Sequence, residues 1–234
     1  KSMRANGYLD RLIDMLDKQG IGHALFDKIL PNPVLRHVHE GAALAREQGC
    51  DFVIGLGGGS SIDSAKSIAV MAKNPGDYWD YISGGSGKGQ PLVNGALPIV
   101  AIATTAGTGS EVNPYSVMTL PSGEQKKTFK AADTWIRVAF VDPRYTESLS
   151  WNTTVSTALD AFAHALESYL SPKSSVFSEK AALFAAEKIW NVLTEYPAEF
   201  TPEMRDDLSV AATAAGMAIS VTGTGFPHPL GYSL

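Results

Sequence analysis

The stretch Asp51-Phe52-Val53-Ile54-Gly55-Leu56-Gly57-Gly58-Gly59-Ser60-Ser61-Ile62-Asp63 decides how this chain folds. It opens with a short apolar run, the pattern of a strand buried on both faces of a parallel sheet. From about Ser60 to Lys73 the apolar residues repeat at helical spacing. Three glycines therefore join a buried strand directly to a helix, where free backbone N–H groups meet the positive end of the helix dipole. An anion is stabilised at such a junction, and glycine matters because any Cβ would hold a phosphate away from the backbone. Ser60 and Asp63 add the Ser-x-x-Asp spacing of a helix cap. The run is neither Gly-x-Gly-x-x-Gly nor a Walker loop, since no Lys-Ser/Thr follows its last glycine. A tight strand-to-helix turn needing positive φ accounts for the glycines equally well, and this motif alone does not separate the two.

Upstream, Leu9, Leu12, Ile13 and Leu16 repeat at helical spacing, with Gly20 and Gly22 as stop signals. A strand is expected from His23 to Ile29, a break at Pro31-Asn32-Pro33, and a helix from Val34 to Gln48. Downstream, a Gly-rich loop near 83–95 precedes two more buried-strand candidates, Pro98 to Thr105 and Ile136 to Val141. From Trp151 onward strand signals stop. Ala-rich helical patterns cover 153–170, 176–195 and 203–220, separated by Ser-Pro, Tyr-Pro and Thr-Pro breakers. The expected architecture is an α/β domain with a Rossmann-like parallel sheet over residues 1–150, then an all-α domain over 151–234. The crevice between them is the default ligand site.

A second loop of the same character, Thr104-Thr105-Ala106-Gly107-Thr108-Gly109-Ser110-Glu111, also follows a buried-strand candidate. Its small hydroxyl residues and glycines suit close approach to phosphate, ribose or carboxamide oxygens, although a flexible turn has the same composition. Two such loops at the ends of two strands in one sheet favour a dinucleotide.

Composition bounds the remaining classes. Hydrophobic residues make up 44% and charged residues 18% of the 234, a balance that folds rather than one that stays disordered. The 19 basic and 24 acidic side chains leave a net charge of −5, with no electrostatic footprint for nucleic acid. No apolar run approaches the roughly 18 residues of a spanning helix, so no membrane association is expected. The single cysteine, Cys50, cannot form an internal disulfide; a cytoplasmic setting and a small buried residue at a strand edge are its default readings.

His23, His37 and His39 have no metal-ligand partner at a telling spacing and read as surface or structural residues. Asp160 and His164 are four apart in a helical pattern, so both leave one face and could bind one divalent ion. Val155, Phe162, Leu166 and Tyr169, however, form the main apolar stripe, which puts the pair on roughly the opposite side and favours a solvated Asp/His pair. His228 by itself is a loop histidine. Its standing rises because the second domain has no further histidine beyond His164, and a catalytic metal site combines a helix pair with ligands from elsewhere. Such a donor set suits Fe(II) or Zn(II).

Taken together these motifs resemble the iron-containing (group III, metal-dependent) alcohol dehydrogenases, over essentially the whole chain. Gly57-Gly58-Gly59-Ser60 with Asp63 looks like that family's pyrophosphate loop, and Thr104 to Glu111, including Thr104, Thr105 and Thr108, like its second cofactor loop. Asp160-Ala161-Phe162-Ala163-His164-Ala165-Leu166-Glu167-Ser168-Tyr169 looks like its metal-binding helix, with His228 as a third ligand. The resemblance further implies that Asn32 lies by the adenosine, that Lys126 or Lys127 approaches the nicotinamide ribose, and that Leu149 lines the cofactor crevice. Tyr232 stands where some relatives have a histidine placed to relay protons.

The resemblance implies NAD or NADP and Fe(II), with Zn(II) as the alternative ion, and hydride transfer between a primary alcohol or its aldehyde and the nicotinamide. It also implies a small-molecule substrate and a homo-oligomer, a dimer. Relatives acting on polyols or keto acids share the scaffold, and a chain that binds dinucleotide without turnover is the rival from another class. Family members carry a strand and a nucleotide-contacting segment ahead of the position of Lys1. They also carry a fourth ligand, a histidine, farther on than the six residues after His228. An internal fragment, lacking the first strand and much of the helical domain, is therefore expected.

Overall fold

The computed structural model describes residues 2–120, 126–225, 227 and 228. Two compact units divide the chain: residues Lys1–Ile102 with Pro114–Val138, and residues Ala103–Asn113 with Ala139–Leu234. In order, the elements are α1 (Ser2–Ala5), α2 (Tyr8–Lys18), α3 (Leu35–Glu47), β1 (Val53–Gly57), α4 (Gly59–Lys73) and α5 (Tyr78–Tyr81). There follow β2 (Ile99–Ala103), β3 (Ser116–Thr119), β4 (Lys126–Phe129), β5 (Val138–Val141), α6 (Trp151–Tyr169), α7 (Val176–Thr194) and α8 (Pro202–Thr222). Strands β1, β2 and β5 form a parallel sheet in the order β1-β2-β5, and β3 and β4 form an antiparallel pair.

In the first unit α4 is buried on nearly every side, from Ile62 to Met71, as its run of apolar and small residues requires. Strand β1 lies hard against it. A Cβ on Gly55 would come within 3.0 Å of the Ala65 Cβ and 3.1 Å of the Ile62 Cα. The adjoining core collects Leu35, Val38 and Ala42 of α3, Ile68, Val70 and Met71 of α4, and Tyr78, Trp79, Met118 and Phe129. Several polar groups inside this core are paired. The Ser67 hydroxyl bonds to the Tyr78 hydroxyl at 2.9 Å and to the Ser116 hydroxyl at 2.7 Å, and the fully buried Lys66 ammonium donates to the Tyr115 carbonyl at 2.6 Å.

In the second unit α6, α7 and α8 pack together on a core that is mostly alanine: Ala158, Ala161, Ala165, Ala182, Ala185, Ala211, Ala212, Ala215 and Ala218, with Ile189, Val192 and Leu208. Each helix starts on a hydroxyl cap. Ser150 accepts from the Thr153 N–H, Ser175 from Ser178, and Thr201 from Met204, the last followed by Pro202 at the first helical position. Alanine lets helix backbones approach closely, and large side chains are turned outward, among them Leu159, Phe177 and Trp190. Among the described residues no helix is long and apolar enough to cross a membrane.

Three expectations are corrected. Residues 23–29 form no strand; the segment is mostly exposed and makes no ladder with a described strand, so its β-prone residues have nothing to pair with. Strand β5 exists but is exposed along its length, Phe140 at 54%, because it stands at the sheet edge. Cys50 is half-buried in the turn before β1 rather than buried at a strand edge.

Candidate active site

The junction of β1 and α4 has the strand–glycine–helix order the sequence called for. Gly57 has φ 144, and a Cβ there would lie 2.5 Å from the Ser61 hydroxyl oxygen and 2.8 Å from its Cβ, so a side chain is excluded twice over. The expected Ser60/Asp63 cap is not formed. The helix begins a residue early, with Gly58 as its N-cap, and no side chain caps the first turn. Ser60 consequently sits inside that turn. Asp63 is drawn elsewhere, its Oδ2 accepting the Val117 N–H at 2.9 Å, with the Lys66 ammonium 3.9 Å from its Oδ1. The first turn of α4 is thus left with the uncapped donors that an anion needs. Asn32 is exposed at φ 58 in the turn before α3, a left-handed position that asparagine tolerates. Lys126 is half-buried at the start of β4, paired with Thr119.

In the second unit, the loop from Thr104 to Glu111 uses its glycines differently from the expectation of ligand approach. A Cβ on Gly107 would lie 2.7 Å from the Thr157 Cβ, and one on Gly109, at φ 60, only 2.4 Å from the Gly216 Cα. These glycines let the loop press onto α6 and α8. Thr104 is buried, while Thr105 and Thr108 remain partly exposed; the Thr108 hydroxyl accepts the Ser110 N–H at 3.3 Å. Leu149, half-buried just ahead of α6, offers its carbonyl to Arg205 at 3.4 Å.

The three acid and imidazole candidates come together within the second unit. Asp160, His164 and His228 each offer one ligand atom, and these atoms lie within 4.8 Å of one another. Asp160 Oδ1 is 3.2 Å from His228 Nε2 and 3.9 Å from His164 Nε2, and the two imidazoles stack with centroids 4.3 Å apart and planes 11° off parallel. The solvated Asp/His pair is overturned, for His164 is 6% exposed. Its physical reason is the alanine core. The face of α6 that packs inward carries Ala158, Ala161, Ala165 and Ser168, and the larger stripe with Leu166 and Tyr169 is turned out.

One residue that spacing arguments passed over belongs to the same cluster. Glu167, 7% exposed, lies three positions after His164 and seven after Asp160, hence along the same helix face. Its Oε1 contacts His228 Nδ1 and its Oε2 accepts the Gly225 N–H. The signal was the i, i+4, i+7 run of Asp, His and Glu. Tyr232 lies outside the described residues.

The electrostatics of the cluster pull in opposite directions. Burial raises Asp160, yet the hydrogen bond from His228 and the charges of both imidazoles hold its carboxyl below the ordinary value. Burial pushes His164 down, against the pull of Asp160. Burial acts the same way on His228, but hydrogen bonds to Asp160 and Glu167 bring it above the ordinary histidine range.

These residues fit a divalent transition metal. His164 Nδ1 is buried without a hydrogen bond. If the single N–H of neutral His228 serves Glu167, the Nε2 lone pair faces a carboxylate oxygen 3.2 Å away, and two acceptors at that distance need a second proton or a metal ion between them. Two imidazoles and one carboxylate are the donors that Fe(II) and Zn(II) prefer, and they leave coordination positions open.

Comparison with known proteins agrees over the full length. The family model described as iron-containing alcohol dehydrogenase matches residues 1–143, and that of the C-terminal part of the Fe-containing alcohol dehydrogenase family matches residues 154–234. The choline dehydrogenase of Bacillus subtilis is 34% identical over 97% of this chain and 56% of its own length. An iron-containing alcohol dehydrogenase structure from Thermotoga maritima superposes with a TM-score of 0.89 at 39% identity, covering 99% of this chain and 62% of that one. A sulfoacetaldehyde reductase from Bifidobacterium kashiwanohense, in complex with NAD+, gives 0.88 at 32% identity over 96% and 58%. The chain thus spans a little over half the length of these relatives.

Proposed function

This chain belongs to the iron-containing alcohol dehydrogenase family, and from that premise we propose a metal-dependent, reversible hydride transfer between a primary alcohol, or its aldehyde, and NAD(P). The observation that carries the proposal is the convergence of Asp160, His164 and His228, with His164 buried and the other two partly exposed. These three would hold Fe(II) or Zn(II), which when bound would supply Lewis-acid chemistry, lowering the pKa of the alcohol oxygen. Asp160 contributes the one negative charge among them, held ionised by its imidazole neighbours.

The pyrophosphate belongs to the uncapped first turn of α4, where Gly58 and Gly59 bring backbone N–H groups against it without a Cβ in the way, and Ser60 adds a hydroxyl. Asp63 keeps that turn in place through the Val117 N–H. Asn32, Lys126, Thr104, Thr105, Thr108 and Leu149 complete the set we assign to the cofactor; Thr105 and Thr108 are partly exposed, and the Thr108 hydroxyl, while accepting from the Ser110 N–H, keeps its proton to donate to a ribose or carboxamide oxygen. NAD is supported by the NAD+ complex of the Bifidobacterium relative. A relative named for the cation choline and another for an anionic sulfonate leave the charge of the substrate open within the family. A cytoplasmic setting, which the lone cysteine suits, and a homo-oligomer are part of the same reading.

The test is metal content by mass spectrometry on anaerobically purified protein, alongside NADH and NADPH oxidation with a panel of short aldehydes, hydroxyaldehydes and keto acids. Stoichiometric iron or zinc with aldehyde turnover is expected, both lost in His164→Ala. If His164→Ala keeps its metal and its turnover, the assignment is wrong.

A further inference from the structure

The Glu167 carboxylate is nearly closed off from solvent, with its side chain 4% exposed. A buried carboxylate is costly unless both oxygens are engaged, and here both are, by groups of the segment that carries His228. One oxygen meets His228 Nδ1. The other accepts the Gly225 N–H, three residues earlier in the chain. Glu167 therefore grips that segment at a backbone group and at the imidazole itself.

We infer that Glu167 is a positioning residue, which fixes His228 as the Nδ1–H tautomer and turns its Nε2 lone pair toward Asp160 Oδ1. The inference rests on the proposed metal centre but concerns a residue outside its ligand set. A carboxylate can only accept from His228 Nδ1, so that nitrogen carries the proton and Nε2 becomes the ligating atom. Nε2 is also the nitrogen that stands 3.2 Å from Asp160 Oδ1, and the two imidazoles are stacked with Asp160 beside them. Without Glu167 the remaining polar contact of His228 among the described residues, with Asp160 Oδ1, would favour the proton on Nε2 and close that nitrogen to a metal. An N–H donated to a carboxylate also makes the imidazole a stronger electron-pair donor to a metal, the usual effect of an outer partner on a metal-bound histidine.

Glutamine at 167 keeps the shape but has one acceptor oxygen for two donors, Gly225 N–H and His228 Nδ1–H. Loss of that carboxylate is expected to weaken Co(II) binding by about 10- to 100-fold, the range for outer-shell partners of metal-bound histidines. Co(II) affinity is read by chelator competition, and its visible absorption reports the ligand field directly. The expected result for Glu167→Gln is weaker binding and a shifted Co(II) spectrum, with a metal-free melting temperature near that of the parent. Glu167→Asp, which keeps the charge but falls short of the imidazole, should lie between. Equal affinity and an identical spectrum in Glu167→Gln would overturn the inference.

A measurement on the unsubstituted protein covers the case in which Glu167→Gln does not fold. In its Zn(II)-loaded form, long-range 1H–15N spectra should show His228 protonated at Nδ1 and metal-bound at Nε2; the reverse tautomer overturns the assignment. The two levels separate cleanly. A parent protein that binds neither Co(II) nor Zn(II) refutes the metal centre and this inference together, whereas a parent that binds them, with His164→Ala deficient and Glu167→Gln normal, refutes the role of Glu167 alone.

Discussion

Replacing Gly216 by alanine sets two effects of opposite sign against each other in the middle of α8. Helix propensity favours the change, alanine being better than glycine in a helix interior by about 0.8–1.0 kcal/mol. Packing opposes it. The new Cβ would stand 2.7 Å from the Gly109 Cα, 2.8 Å from the Gly109 carbonyl oxygen and 2.9 Å from a Val112 methyl. Two of those three atoms are backbone, in a residue already at φ 60, so no rotamer change relieves the clash. Overpacking typically costs about 1–3 kcal/mol, and fixed backbone neighbours put this case near 3. The net expectation is a loss of about 2 kcal/mol, or roughly 4–8 °C in melting temperature for a protein of this size. Urea unfolding with an unchanged m value is the direct assay, because a shift in midpoint alone then reports stability. Gly109→Ala, with its Cβ 2.4 Å from the Gly216 Cα and a left-handed backbone besides, should lose more. A Gly216→Ala protein that melts at or above the parent would show that propensity wins and that the loop does not pack on α8 as described.

Two further outcomes follow from buried polar groups. The guanidinium of Arg205, 8% exposed, donates to the Thr146 carbonyl at 2.5 Å and approaches the Leu149 carbonyl and the Thr154 hydroxyl at 3.4 Å. Arg205→Met fills the space but strands these acceptors, and a loss of about 2–3 kcal/mol in chemical unfolding is expected; a change under about 0.5 kcal/mol contradicts it. In metal-free protein followed by NMR, His228 should release its proton at a higher pH than His164. At His228 burial is outweighed by hydrogen bonds to Asp160 and Glu167, while at His164 burial prevails. The raised His228 stabilises the fold below its unfolded pKa of about 6.5, an effect lost as pH rises through its folded value. The lowered His164 acts oppositely, its contribution being complete above about 6.5 and lost as pH falls; the reverse order of titration would contradict the cluster geometry.

Much of the fold was readable from the chain because its punctuation is strong. The Ser-Pro and Thr-Pro breakers and the hydroxyl caps at Ser175 and Thr201 bracket α7 and α8 to within a residue or two of the expected bounds. What failed was the inference from side-chain size to burial. On α6 Leu166 and Tyr169 of the bulky stripe face outward and Phe162 packs only partly on the core, while His164 is carried inward with Ala161 and Ala165. The β3–β4 pair went unseen, for four-residue strands such as Ser116–Thr119 are too short for alternation to register. Glu167 shares a helix face with Asp160 and His164 in the sequence, but its role depends on His228, sixty-one residues away.

The close approach of Gly109 to Gly216 bears on how the protein is made. The two residues are about a hundred positions apart, and the second unit is assembled from two separate lengths of chain. On a ribosome adding about 5–20 residues per second, the 103–113 segment emerges some 5–20 s before the helix that will receive it. During that interval the segments Lys1–Ile102 and Pro114–Val138 are both synthesised, while residues 103–113 must wait without their partner. Vectorial synthesis thus imposes an order: the unit that holds α4 can form early, and the helical unit cannot close until α8 has left the exit tunnel.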